Sequence, residues 1–162
     1  MNSGVFYKIL RQQFPFTPTL KQDIFFQKIA EFITNKQDDE IFVLKGYAGT
    51  GKTTIISTIV NHLQDAEKKY VLLAPTGRAA KVIANYSQKP AFTIHKRIYF
   101  PKKGGSGAMA FTMQQNKFKN TIFIVDEASM ISDVAAESKL YENGSLLDDL
   151  ISYVYSGTNC KM

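Results

Sequence analysis

One glycine-rich segment has the residue types and the spacing of a phosphate-binding loop. Residues 46–53 read Gly-Tyr-Ala-Gly-Thr-Gly-Lys-Thr, which matches the pattern G-x-x-x-x-G-K-S/T. Glycines let the backbone turn so tightly that successive N–H groups point at phosphate oxygens, and a following helix directs its positive end at the same anion. In such a loop Lys52 contacts the β- and γ-phosphates and the Thr53 hydroxyl ligates Mg²⁺. The segment therefore predicts a nucleoside triphosphate site, and a plain glycine turn before a helix is the alternative.

An acidic pair at the end of an apolar run has the chemistry to complete such a site. Asp126 and Glu127 directly follow Ile-Phe-Ile-Val at residues 122–125. The first carboxylate suits Mg²⁺, either directly or through water, and the second is placed to polarise an attacking water. Alone, the pair is better explained as a solvated strand end, which is common. With the phosphate loop it favours hydrolysis over phosphoryl transfer, because a kinase site must exclude water.

The elements that position these residues follow from the apolar pattern. Short continuous apolar runs at residues 41–44, 70–74 and 121–125 predict strands that are covered on both faces. Helical stripes follow the first two runs, one after the glycine-rich loop and one from Arg78, where Thr76 can cap the helix. Strands and helices that alternate at this spacing are typical of a parallel sheet in an α/β fold. The phosphate loop and the acidic pair should therefore each follow a strand.

Two further segments surround this core. Residues 5–10 predict one or two helical turns, and a longer helix is predicted from Leu20 with Thr19 as its cap. Residues 111–113 fit one arm of a hairpin around a flexible basic turn at residues 102–107.

The carboxyl-terminal part predicts one more helix. Ser145 has the spacing of a capping box, and Gly157 stops the helix. No element is predicted for residues 159–162. The inward-facing residues of this helix should be Leu147, Leu150, Ile151 and Val154.

Composition excludes several classes of protein. The chain has 162 residues, of which 44% are hydrophobic and 21% charged, and these are the values of a globular domain. A single cysteine, Cys160, excludes a disulfide framework and a zinc site built on cysteines. No apolar run approaches the roughly 20 residues that span a bilayer, and no secretory signal is recognised, so we expect a cytoplasmic protein without a membrane partner. A formal charge of +6 permits a polyanionic partner without requiring one.

Four segments occur in the order and spacing of superfamily 1 DNA helicases, and they most resemble the RecD-like and Dda-like branch that moves 5′ to 3′ on single-stranded DNA. The segments are residues 46–54, 74–80, 93–95 and 125–130. Many ATPases share the phosphate loop and the acidic pair, whereas Ala-Pro-Thr-Gly-Arg-Ala-Ala and Asp-Glu-Ala-Ser-Met are much more specific to this branch. The resemblance covers roughly residues 14–162. It implies an amino-terminal RecA-like motor domain with three α/β layers that uses ATP and Mg²⁺ and binds single-stranded DNA.

The resemblance also implies a role for each matching residue at the nucleotide. Gln22 would read the adenine edge, although an exposed helix glutamine is the default explanation. The catalytic residues would be Lys52, Asp126 and Glu127, and the Mg²⁺ ligands would be Thr53 and Asp126. The other nucleotide-binding positions would be Gly46, Ala48, Gly49, Thr50, Gly51 and Thr54.

A second set of residues is implied to contact DNA. The set comprises Pro75, Thr76, Arg78, Thr93 and His95. A hydroxyl, a helix N-terminus and a guanidinium all suit a phosphate group. The alternatives are a capped helix with a solvated arginine for the first three residues and a structural hydrogen bond for His95. No role follows for Tyr47 or for the irregular basic insertion at about residues 100–120.

The sequence also departs from the family pattern. The family continues with a strand that ends in Gly-Asp-x-x-Gln, a second RecA-like domain and an arginine finger, and none of these is found in the sequence. We therefore expect one partial domain, with an amino-terminal helical segment at residues 1–40 and a core at residues 41–162, that binds nucleotide weakly and hydrolyses it slowly. In the family the next strand lies between the strands at residues 41–44 and 122–125. These strands should close up, or another chain, including a second copy, should fill the slot.

The predicted function is that of a motor domain whose intact protein couples ATP hydrolysis to translocation on single-stranded DNA. One alternative is a nucleotide- or DNA-binding module without motor activity. Another is a stand-alone P-loop nucleoside triphosphatase that does not act on DNA.

Overall fold

A parallel sheet lies at the centre of the protein in the computed structural model, which describes residues 1–36, 40–100, 111–133 and 140–162. Within these residues the strands are β1 (Lys69–Ala74), β2 (Ala91–Thr93) and β3 (Thr121–Val125), in the order β2-β1-β3. The helices are α1 (Ser3–Gln13), α2 (Leu20–Thr34), α3 (Lys52–His62), α4 (Gly77–Ser87), α5 (Ile94–Ile98) and α6 (Leu146–Tyr155). This order of helices and parallel strands confirms the predicted α/β fold.

Helices cover both faces of the sheet because successive side chains of a strand point to opposite faces. On one face Leu72 lies in a cluster with Ile56 of α3 and Ile83 of α4. On the other face Leu73 lies in a cluster with Val154 of α6. The three layers and the short parallel sheet agree with an incomplete RecA-like P-loop fold.

The amino-terminal segment forms two packed helices. α1 extends over Ser3–Gln13 with Asn2 as its cap, so it is longer than the one or two turns that the sequence predicts. Its Phe6 and Leu10 are fully buried in a cluster that includes residues of α2 and α3. Thr19 caps α2 as predicted, and Gln22 completes the capping box. The capping box therefore fixes the first turn of α2, which carries Gln22.

The prediction of a strand at residues 41–44 is wrong. Ile41 and Val43 are 44% and 66% exposed, and the segment belongs to no strand of the described sheet. A segment forms a ladder only where a neighbouring strand satisfies its N–H and C=O groups. Within the described residues one backbone hydrogen bond reaches this segment, from the Phe42 N–H to the Met162 carbonyl at 3.0 Å.

The final residues lie beside β3, where the sequence predicts no element. Parallel bridges join Thr158 to Lys119 and Lys161 to Ile122. The fully buried Lys161 donates through its ammonium to the Phe32 carbonyl at 2.8 Å, near the carboxyl end of α2, where the helix dipole favours a cation. The final residues of the chain therefore pair with the start of β3, at the edge where the sequence predicts an open slot.

The predicted hairpin arm is confirmed at its base. Tyr99 and Met113 form an antiparallel bridge, and the Phe100 N–H donates to the Thr112 carbonyl at 3.0 Å. The predicted basic turn at residues 102–107 lies outside the described residues.

The last helix begins where the sequence predicts, but it presents a different face to the core. The Ser145 side chain accepts from the Asp148 N–H, as the capping-box spacing requires. Leu147 and Ile151 are only half-buried, so the predicted inward face is rotated by about one residue. The buried residues of α6 are Leu146, Asp149, Leu150, Tyr153 and Val154.

Candidate nucleotide-binding site

The glycine-rich loop leads directly into α3 with the sharp turns that a phosphate cradle needs. Gly49 and Gly51 have φ angles of +77° and +84°, in the left-handed region that favours glycine. A Cβ at Gly46 would lie 2.8 Å from the Thr50 Oγ1, so a larger residue there would displace that hydroxyl. The backbone conformation therefore favours glycine at Gly49 and Gly51, and the contact with the Thr50 side chain favours it at Gly46.

Lys52 lies folded against its own loop. Its Nζ donates to the carbonyl oxygens of Gly46 at 2.7 Å and Tyr47 at 2.8 Å. The Thr50 hydroxyl also donates to the Tyr47 carbonyl, at 2.8 Å. Tyr47, for which the sequence predicts no role, thus contributes a backbone acceptor to the loop while its side chain is 89% exposed.

The remaining loop positions lie at the same place. Ala48 is exposed in the turn, and Thr53 and Thr54 are half-buried in the first turn of α3. The N–H groups of this first turn have no partner within the helix, which makes it a natural binding site for an anion.

Gln22 contacts the phosphate loop. Its Nε2 donates to the Thr50 carbonyl at 3.2 Å, and its Oε1 accepts from the Thr19 N–H at 2.9 Å. The side-chain amide therefore joins the start of α2 to the loop, which an ordinary surface glutamine would not do. Its role in reading adenine stays a prediction.

The acidic pair lies at the carboxyl edge of the parallel sheet. The Asp126 N–H donates to the Leu73 carbonyl at 2.9 Å, which continues the pairing of β1 with β3 by one residue. The Glu127 N–H donates to the Asp126 Oδ1 at 3.0 Å, and Glu127 itself has a φ of +54°. This left-handed residue turns the chain sharply at the strand end and leaves Glu127 exposed.

The direction of α3 places its first residue toward the same edge. α3 returns to the start of β1 through the short 3₁₀ helix Leu63–Ala66, and the Lys68 N–H donates to the Leu63 carbonyl at 3.0 Å. α3 therefore runs antiparallel to β1, and its 11 residues cover about 16 Å, close to the length of the strand. Lys52 accordingly lies toward the carboxyl edge. Among the described residues, no hydrogen bond or ion pair joins Asp126 or Glu127 to the loop.

The predicted DNA contacts follow β1 and β2 at this edge. Ala74 pairs with Thr93 at the ends of the two strands. The Thr76 and Thr93 hydroxyls accept from N–H groups of α4 and α5, both at 3.2 Å, so each caps the helix that follows it. Arg78 is exposed on the first turn of α4, and Pro75 is half-buried.

His95 lies among aromatic rings. Its ring centroid is 5.0 Å from that of Phe111 and 5.7 Å from that of Tyr99, and its Nε2 is 3.5 Å from the Tyr141 hydroxyl. Burial lowers the pKa of His95 below its ordinary value, so the imidazole is neutral at neutral pH. It can contact a ligand as a hydrogen-bonding group and not as a charge.

Sequence reasoning missed Asp149, which lies behind this aromatic group. Its carboxylate accepts from the Tyr99 hydroxyl at 2.6 Å. Burial and, second, this hydrogen bond raise the pKa of Tyr99. An aspartate in the first turn of a helix usually faces solvent, so the sequence pattern carries no signal for its burial.

Comparison with known proteins decides the family. A model described as an AAA domain matches residues 29–144, which is well over half of the chain. The chain belongs to this AAA domain family. The matched residues include the phosphate loop, the acidic pair and His95, whereas Gln22 and α6 lie outside them.

Three relatives refine this assignment. The RecBCD enzyme subunit RecD of Buchnera aphidicola subsp. Schizaphis graminum is 33% identical over 126 residues, which are 65% of this chain and 20% of RecD. The ATP-dependent RecD2 DNA helicase of Deinococcus radiodurans is 30% identical over 103 residues, or 62% and 13% of the two chains. An uncharacterised protein, R530, of Acanthamoeba polyphaga mimivirus is 34% identical over 134 residues, or 69% and 27%.

This AAA domain is a RecD-like motor domain of superfamily 1, as the sequence motifs imply. It is a helicase-type ATP-binding domain, and it spans between 13% and 27% of the length of these three relatives. Within the described residues, no helix has the length and apolar character needed to cross a membrane.

Proposed function

We propose that this RecD-like domain binds Mg-ATP in the loop of residues 46–53 and couples its hydrolysis to 5′-to-3′ movement along single-stranded DNA, as the motor of a cytoplasmic helicase. The proposal is supported chiefly by the arrangement at one edge of the sheet. Lys52 lies toward that edge, Asp126 and Glu127 follow β3 there, and the candidate DNA contacts follow β1 and β2. Coupling requires that nucleotide and DNA act on the same rigid elements, and neighbouring strand ends are such elements.

The loop fits a triphosphate on its own geometry. Phosphate oxygens can replace the Gly46 and Tyr47 carbonyls as acceptors for the Lys52 ammonium, so binding exchanges neutral acceptors for charged ones. The free N–H groups of the first turn of α3 add donors for the same anion.

The residues also fit Mg²⁺, which usually takes only one or two protein ligands and completes its shell with phosphate and water. Among the described residues no cluster of three or more His, Cys, Asp or Glu could hold a metal without the nucleotide. Thr53 and Asp126 would hold the ion, the latter directly or through water, and the bound ion neutralises charge on the β- and γ-phosphates. Glu127, exposed beside Asp126, would orient the attacking water and accept its proton.

Gln22 would select the base. Its amide offers one donor and one acceptor, which is the pattern needed to recognise the adenine edge and to reject guanine. In the structure both groups are engaged, with Thr50 and Thr19, so adenine would compete with at least one of these hydrogen bonds. Nucleotide recognition would thereby be communicated to the phosphate loop.

At the DNA, the exposed Arg78 and the start of α4 would contact the phosphate backbone, while His95 would contribute a neutral hydrogen-bonding group. One relative carries a DNA function in its name, the ATP-dependent RecD2 DNA helicase, which agrees with this assignment.

The nucleotide part is tested by calorimetric titration of the protein with Mg-ATP. Lys52→Ala should weaken binding by about tenfold to a hundredfold, because hydrogen bonds to a charged group are lost. Lys45→Ala, which removes the same charge from an exposed residue next to the loop, is the matched control and should change affinity less than twofold. Equal affinities for the wild type and Lys52→Ala would overturn the assignment.

The DNA part is tested by fluorescence anisotropy with a labelled oligodeoxythymidylate at fixed salt. Arg78→Ala should weaken binding about threefold to tenfold. Lys69→Ala removes one exposed positive charge at the first residue of β1, on the opposite edge of the sheet, and should have less than about a twofold effect. If both variants weakened binding equally, the carboxyl edge would not be the DNA site.

A further inference from the structure

A buried carboxylate lies under the aromatic residues that surround His95. Asp149 of α6 is fully buried and accepts four hydrogen bonds. The Tyr99 hydroxyl and the Glu142 N–H donate to its Oδ2 at 2.6 and 3.2 Å. The Asn143 N–H and Asn143 Nδ2 donate to its Oδ1 at 2.7 and 2.8 Å.

These four donors come from two segments distant from each other in sequence. Tyr99 follows α5, and Glu142 and Asn143 precede α6. Among the described residues no ion pair neutralises Asp149, so neutral donors alone satisfy the carboxylate. A charge is costly to bury, and a fully satisfied polar network of this kind specifies one geometry more than it adds stability.

The hydrogen-bond network of Asp149 fixes the groups that surround His95. Tyr99, held by its hydroxyl, lies beside the His95 ring, and its own ring stacks on Phe111 with centroids 4.8 Å apart. Tyr141, next to the bound Glu142, stacks on Phe111 from the other segment and brings its hydroxyl to 3.5 Å from the His95 Nε2. Asp149 thus holds one of the rings that contact His95 directly, and it holds the backbone next to a second ring, that of Tyr141.

The same carboxylate stabilises the base of the predicted hairpin. Glu142 accepts through its side chain from the Met113 N–H at 2.8 Å, and the Phe111 N–H donates to the Leu140 carbonyl at 2.8 Å. The segment that Asp149 holds by backbone hydrogen bonds is therefore joined to the segment around Met113, which pairs with Tyr99.

We propose that Asp149 is a positioning residue for DNA binding: it fixes Tyr99 and the segment around Tyr141, and through them it orients His95 toward the DNA at the carboxyl edge. The proposal rests on the proposed function, because it takes the edge that carries His95 as the DNA-contacting surface. Asp149 itself touches neither nucleotide nor DNA in this account.

Asp149→Asn is the informative variant. All four partners of the carboxylate donate, so the amide group of asparagine would direct its N–H groups at other donors at one of the two oxygen positions. Asp148→Asn is the matched control, since it makes the same charge change one residue away at an exposed position, where the asparagine Oδ1 can still accept from the Ser145 hydroxyl. The control separates positioning from a general electrostatic effect on DNA affinity.

The experiment measures binding of a labelled oligodeoxythymidylate by anisotropy and of Mg-ATP by calorimetry. Asp149→Asn should weaken DNA binding about fivefold to tenfold, whereas Asp148→Asn should leave it within about twofold of the wild type. Neither change should alter Mg-ATP affinity by more than about twofold. In a His95→Ala background, Asp149→Asn should have no further effect on DNA affinity, because the residue through which it acts is gone. A merely structural role for Asp149 would predict losses that multiply.

The outcomes separate the two proposals. If the wild type binds no oligonucleotide, the proposed function fails and this inference fails with it. If the wild type binds but Asp149→Asn binds equally well, or if its effect multiplies with that of His95→Ala, only this inference is overturned. If Asp149→Asn does not fold, Tyr99→Phe tests the inference instead, because it keeps the ring and removes only one hydrogen-bond donor to Asp149. It should weaken DNA binding about twofold to fivefold, and unchanged binding would overturn the inference.

Discussion

Gly46→Ala should damage the nucleotide site without unfolding the protein. A Cβ at this position would lie 2.8 Å from the Thr50 Oγ1, whereas an ordinary contact needs at least 3.4 Å. The hydroxyl must therefore move, and its hydrogen bond to the Tyr47 carbonyl at 2.8 Å is broken. That carbonyl also accepts from Lys52, so the disturbance reaches the ammonium that should contact the phosphates.

The magnitude follows from the interactions at risk. One lost hydrogen bond costs about 0.5–1.5 kcal/mol, which corresponds to a roughly twofold to twelvefold loss of Mg-ATP affinity. The loop is exposed and contributes little to the core, so the melting temperature should fall by less than about 2 °C. Calorimetric titration with Mg-ATP and a thermal melt measure both quantities on the same sample.

Two further variants test whether the contact with the Thr50 hydroxyl causes the loss of affinity. Gly46→Ala in a Thr50→Ala background should bind Mg-ATP like Thr50→Ala alone, because the clashing hydroxyl is absent. Gly77→Ala, where a Cβ would meet nothing within 4 Å, is the control and should leave affinity unchanged. If Gly46→Ala binds Mg-ATP normally, or if it weakens binding further in the Thr50→Ala background, the contact between Gly46 and Thr50 does not govern nucleotide binding.

Two other predictions concern stability and are measured by urea unfolding. Leu150→Ala, at a fully buried position, should destabilise the protein by about 2–5 kcal/mol. Leu147→Ala, on the half-buried side of α6, should destabilise it clearly less. Equal losses would support the inward face that the sequence predicts. Burial lowers the pKa of His95 below 6.5, so the unfolded state takes up a proton first as the pH falls; this contribution to stability is complete above pH 6.5 and is lost below it. Stability should therefore fall as the pH is lowered through 6.5, and the stability of His95→Gln should fall less over the same change; parallel curves would contradict the assignment.

The parts of the site that sequence predicts well are those with local causes. The turns of the phosphate loop depend on glycines within one segment, and Thr19, Thr76 and Ser145 cap the helices that follow them in the chain. β1 and β3 are apolar on both faces because helices cover both faces of the sheet. Each of these features can be predicted from the residues of its own segment.

The parts that sequence predicts poorly depend on distant partners. Residues 41–44 are as apolar as β3, but none of the described strands pairs with them, so they do not form a ladder. Lys161 is buried because the end of α2 offers carbonyls to its ammonium. Asp149 is buried because Tyr99 and two residues before α6 supply its donors. The spacing of apolar residues along the chain carries no information about such contacts.

The most direct test of the central claim is a crystal structure of this protein with Mg²⁺ and a non-hydrolysable ATP analogue. We expect the Lys52 Nζ to lie within about 3 Å of a β- or γ-phosphate oxygen. We also expect Mg²⁺ at about 2.1 Å from the Thr53 hydroxyl, with Asp126 bound to the ion directly or through one water. A nucleotide bound elsewhere, or Asp126 beyond the reach of a single bridging water, would contradict this claim.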